Sequence, residues 1–77
     1  MTTSAEAGQV TGTKDKSYNL LWYIERCLSN ALRLEQYCED AERDDDQEVA
    51  DLFRRAQAAS KKGAEEGKSL LRSRLGE

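Results

Sequence analysis

The chain has 77 residues, 35% of them charged, a formal net charge of −3, two Cys, no His and no Pro. That length allows one small domain at most. No run approaches the ~18 apolar residues of a membrane span, and two isolated Cys without His make no zinc-ligand pattern. Below about 80 residues a core rarely supplies more than ~3–5 kcal/mol, so such chains draw on disulfides, a metal or a second chain.

The stretch from Met1 to Lys14 is small and polar, contains Gly8 and Gly12, and has no periodicity. It reads as a disordered tail over 1–14. It also lacks the basic start and apolar centre of a signal peptide, so a cytoplasmic location is expected.

A helix is predicted from Ser17, capped by Ser17 or Asp15, to about Arg43. Leu20, Ile24, Cys27, Ala31, Leu34, Cys38 and Ala41 alternate spacings of four and three, the seam of a helix that lies along another helix. With Leu20, Cys27, Leu34 and Ala41 at d, Leu21 and Leu28 fall at e and Leu32 at b. Tyr23 and Tyr37 take g on the other flank with Asn30 between them, and Trp22 falls at f. So wide an apolar arc asks for two neighbours rather than one. Trp22 is either a lone exposed aromatic or part of a further contact. Cys27 and Cys38 lie eleven residues apart, about 16 Å along one helix, too far for a disulfide between them. Both read as buried thiols, with a disulfide between subunits as the alternative.

Residues 44–46 form the predicted turn. Asp45 followed by Glu48 reads as an acidic capping box. A second helix is expected over 46–75, with Val49, Leu52, Phe53, Ala56, Ala59, Gly63, Leu70 and Leu71 as its apolar residues. Gly63 and Gly67 each cost a helix about 1 kcal/mol relative to Ala, so a close approach should offset them. Folding about Asp44–Asp45 places Gly63 opposite Cys27 and Gly67 near Tyr23 and Ile24. These Gly either receive large side chains, from the first helix or a second subunit, or line a ligand cleft.

Charge is segregated. Glu39 to Phe53 holds eight acids against Arg43, and Arg54 to Glu77 holds seven bases against three acids. Glu65 and Glu66 interrupt the basic run and no aromatic residues interleave with it, so nucleic-acid binding is not expected. No Ser or Cys sits beside a plausible base, so no catalytic constellation is assembled.

From Cys27 to Leu71 the chain resembles a helical hairpin of the rubrerythrin and ferritin-like group. The resemblance rests on Glu39-Asp40-Ala41-Glu42, the short polar turn, and Val49-Ala50-Asp51-Leu52-Phe53-Arg54-Arg55-Ala56. It implies a ferritin-like hairpin, but the positions of the group's di-iron ligands fall at or next to Cys27, and at Ser60 and Gly63, which cannot serve. Glu25, Glu35, Glu65 and Glu66 remain as carboxylates for a rebuilt site.

The expected architecture is therefore all-α: a two-helix antiparallel hairpin that dimerises into a four-helix bundle. The expected role is a non-enzymatic homodimeric scaffold or protein-interaction module, with no catalytic residue, metal or cofactor. Its partner is itself or another helical protein, and neither nucleic acid nor membrane. Leu21, Trp22, Tyr23, Leu28, Leu32, Tyr37, Gly63 and Gly67 are the candidate interface. The alternative is a ferritin-like metal-binding protein with a carboxylate site.

Overall fold

A computed structural model describes residues 16–76; the tail expected over 1–14 lies outside them. Two helices account for almost all of this span, α1 (Lys16–Arg43) and α2 (Gln47–Leu75). They pack antiparallel as a hairpin, as the seam predicts. Both helices are within a residue of their expected bounds, a difference that helix ends do not resolve.

The turn is made by backbone chemistry rather than by the expected capping box. Asp45 adopts φ 59, and its N–H donates to the Glu42 carbonyl at 3.0 Å while that of Asp46 donates to the Ala41 carbonyl at 2.9 Å. That pair of bonds is a Schellman motif with an aspartate in the left-handed position usually held by Gly. The N-cap of α2 is consequently Asp46, whose carboxylate accepts from the Val49 N–H at 3.2 Å. The expectation of Asp45 as the cap is corrected by one residue. Three successive Asp offer the same capping oxygen, and the αL turn at Asp45 selects the next one. Glu48 in the first turn of α2 and Arg72 and Arg74 in its last complement the helix dipole.

The α1 seam packs as read. Ile24, Ala31, Leu34, Cys38 and Ala41 are buried, and Leu20 and Cys27 are half-buried. The facing stripe of α2 is not the one its large apolar residues suggest. Ala50, Gln57, Ala64 and Gly67 are buried, with Phe53, Ser60 and Leu71 half-buried between them, again at alternating spacings of three and four. Val49, Leu52, Ala59 and Leu70 are exposed, a stripe turned out of the hairpin. Small side chains in α2 face larger ones in α1, which lets the helices approach closely.

One consequence is a thin core. Of the seven buried hydrophobic residues among the described residues, Ala31, Ala41, Ala50 and Ala64 are alanines, and Cys38 is the largest completely enclosed side chain among them. Gln57 is the buried polar residue; its amide donates to the Ala31 carbonyl at 3.0 Å and to Glu35 Oε1 at 2.9 Å. Among the described residues no buried side-chain nitrogen or oxygen lacks a partner. Nearer the turn, Arg54 of α2 pairs with Glu42 of α1. The same pairing holds the Arg54 guanidinium above its ordinary pKa.

Candidate interaction surface

The candidate residues divide into three groups once the hairpin is formed. Gly63 and Gly67 are filled from within. A β-carbon on Gly63 would stand 2.7 Å from Tyr23 Oη and 3.2 Å from Cys27 Sγ, and one on Gly67 would stand 2.8 Å from Ile24 Cγ1. The small-residue groove is therefore occupied by α1 of the same chain. It leaves no open cleft at these two positions.

Leu21, Leu28 and Leu32 lie along one side of the hairpin. All three are exposed, Leu32 by 76%. Leu28 and Leu32 border a shallow groove with Glu35, Gln57 and Lys61, so the α2 half of this side is polar. Tyr23 and Tyr37 lie on the opposite side, as their g positions require. Tyr37 packs against Phe53 with ring centroids 5.5 Å apart, and together with Val49 they line a second hollow beside Asp40 and Asp44. Between the two tyrosines, Asn30 Nδ2 donates to Ser60 Oγ across the helices at 2.8 Å. The outward α2 stripe of Val49, Leu52, Ala56 and Ala59 continues this side, so both helices contribute apolar surface to it. Sequence reading missed this stripe as surface because its heptad spacing is as regular as that of the true inner face.

Trp22 belongs to neither side. It makes an edge contact with Tyr18, centroids 6.3 Å apart, and the Arg26 guanidinium lies 5.1 Å from its ring. These are contacts along α1 itself, at spacings of four. With these neighbours in place Trp22 is still 48% exposed.

A polar hollow is lined by Tyr23, Arg26, Cys27, Asn30, Arg33 and Ser60, among others. Its chemistry is quiet. The Cys27 thiol, through a hydrogen bond and its charge when ionised, holds the Tyr23 phenol above its usual pKa, with burial and Glu66 adding to the shift. A phenol shifted this way stays protonated at neutral pH and serves as no base. Both cysteines are free thiols.

The four carboxylates considered for a rebuilt metal site are dispersed. Glu25 accepts from Ser29 and sits beside Arg26, Glu35 accepts from Gln57, and Glu65 pairs with Lys68. Among the described residues no three His, Cys, Asp or Glu side chains are grouped to hold a metal ion, and no helix is long and apolar enough to cross a membrane. Comparison with family models, curated proteins and solved structures finds no match to this chain.

Proposed function

We propose that this chain is a non-enzymatic helical hairpin that works as a self-associating scaffold or protein-interaction module of the cytoplasm, two copies forming a four-helix bundle. The observation that carries this reading is the distribution of large apolar side chains. Leu21, Trp22, Tyr23, Leu28, Leu32, Tyr37, Val49, Leu52, Leu70 and Leu75 are all exposed in the hairpin, while its buried core is mostly alanine. Small domains are built from two packed layers, and a lone hairpin is one layer. Burying apolar surface contributes roughly 25 cal/mol per Å², so a second layer is the largest stabilisation within this chain's reach. Single exposed apolar residues are ordinary on protein surfaces; an aligned stripe on two adjacent helices is the pattern of an interface.

Sedimentation equilibrium between about 1 and 100 µM tests the reading. A dimer whose helix content falls on dilution supports it. A folded monomer across that range, at full helicity, removes it.

A further inference from the structure

Lys16, Tyr23, Asn30, Tyr37 and Asp44 fall at one heptad position of α1 and its C-terminal extension, each seven residues from the last. The series is symmetric about Asn30 in its tyrosines, which lie at equal distances on either side, and it carries opposite charges at its two ends. Asn30 is also the midpoint of the hairpin. It lies fifteen residues before Asp45, as Ser60, its hydrogen-bond partner, lies fifteen after, and the helices end about thirty residues from that turn. We infer that the side carrying Tyr23, Asn30, Tyr37, Val49, Leu52 and Ala59 docks a second copy of this chain head to tail, the turn of each hairpin lying against the open end of the other. The inference rests on the self-association proposed above and adds its face and direction.

Two-fold symmetry decides which residues meet. When two identical hairpins stack face to face with their turns at opposite ends, the dyad places α1 on α1 and α2 on α2, each pair antiparallel. Tyr23 then meets Tyr37 of the partner subunit, Asn30 meets its own copy at the axis, and Lys16 meets Asp44 of the partner subunit. The α2 stripe follows the α1 register to within one residue: Val49 lies level with Leu70 and Leu71 of the partner subunit, and Ala59 sits beside the axis next to Ser60. Stacking with both turns at one end instead lays α1 on α2. Lys16 would then face Arg74 of the partner subunit, and Asp44 would face Asp46 of the partner subunit, like charge on like at both ends.

Net charge points the same way. The turn half, residues 31–59, carries nine acids against four bases, a net of −5. The open half, residues 16–30 and 60–76, carries seven bases against three acids, a net of +4. Complementary potentials of this kind fix orientation and suppress the wrong one. The centre of this face is polar, with Arg26, Asn30, Arg33 and Ser60 around one hollow, and a polar residue held at the axis sets register, as a single Asn does in coiled coils. The chain's own first fifteen residues make a poor occupant for this face, with Met1 and Val10 as their only large apolar side chains.

Zero-length carbodiimide cross-linking of the full chain, read by mass spectrometry alongside sedimentation, tests the arrangement. Lys16 and Asp44 are 28 residues apart, roughly 42 Å along the helix, so an amide between them can form only between chains. The expected result is a dimer band containing the Lys16–Asp44 link, with the Lys68–Glu65 link, 3.2 Å apart within one chain, as the reactivity control. Ala59→Glu, at an exposed position that leaves the hairpin intact, is expected to weaken dimerisation at least 100-fold. Leu32→Glu on the opposite side is expected to change it less than threefold. A monomer at 100 µM overturns this arrangement together with the self-association beneath it. A dimer that shows the control link without Lys16–Asp44, or one dissolved by Leu32→Glu and indifferent to Ala59→Glu, overturns the face and direction and leaves self-association standing.

Discussion

The α2 backbone at Gly67 passes so close to Ile24 that a β-carbon there would stand 2.8 Å from Ile24 Cγ1. Ile24 is buried, and its Cγ1 sits next to its own backbone, so neither side has room to yield. Gly67→Ala is therefore expected to destabilise the hairpin by about 1–2 kcal/mol, an overpacking cost of ~1–3 reduced by the ~1 that Ala gains over Gly in a helix. Gly63→Ala meets the Tyr23 hydroxyl instead, the tip of a side chain 52% exposed and able to swing outward. That variant is expected within about 0.5 kcal/mol of the parent, the helix gain offsetting the shift. Urea unfolding of both at one protein concentration checks the contrast; equal losses at the two positions would count against it.

Asp45 at φ 59 holds a conformation that Gly adopts without penalty and other L-residues adopt at a cost of order 1 kcal/mol. Asp45→Gly is expected to stabilise the chain by about 0.5–1 kcal/mol, and Asp45→Val to destabilise it by at least as much. Thermal unfolding followed by circular dichroism orders the three proteins. A glycine variant that melts below the parent would show that the aspartate side chain is contributing more than its backbone strain.

Gln57 bridges the helices, yet its acceptors do not depend on it. The Ala31 carbonyl lies within α1, and Glu35 is exposed. Replacing such a group by an apolar one of similar shape is close to neutral, so Gln57→Leu is expected within ~1 kcal/mol of the parent. Gln57→Ala leaves a void between the helices and is expected to cost about 1–2 kcal/mol. If both variants lose the same stability, the hydrogen bonds outweigh the packing at this position.

Cys38 is completely enclosed, its thiol 3.8 Å from the Ala50 carbonyl, whereas Cys27 is half-buried. Titration with an aromatic disulfide reagent is expected to modify one thiol per chain in the native state and the second only on unfolding. Mass spectrometry assigns the first to Cys27. Modification of Cys38 at the same rate in native protein would mean that the helices separate locally.

The sequence made α1 readable because its seam carries Leu20, Ile24 and Leu34, whose size and spacing point to one face. The antiparallel pairing was also legible, since the turn at Asp44–Asp45 brings Gly63 to Cys27 and Gly67 to Ile24. The inner face of α2 was not. Beside Phe53 and Leu71, its facing positions are Ala50, Gln57, Ser60, Ala64 and Gly67, too small or too polar to stand out. Leu52 and Leu70, which do stand out, are exposed, and Val49 lines the hollow beside Tyr37 at the edge of the pair. Hydrophobic pattern finds the side that wants burial without saying which helix will bury it. The eight candidate interface residues met the same ambiguity: two Gly are taken up inside the hairpin, Trp22 stacks on its own helix, and the remaining five split across opposite sides.

Tyr37 with Phe53, Asn30 with Ser60, Cys27 with Gly63 and Tyr23 with Gly67 are pairs whose residue numbers each sum to 90. The hairpin is thus a ladder whose rungs are numbered outward from one point, and that restricts how such a chain can change length. Seven residues inserted into α1 alone would carry every α1 residue beyond them to a partner one heptad farther from the turn, setting Ile24 against Arg74 in place of Gly67. Growth or shortening is tolerated only when the same number of heptads is added or removed in both arms.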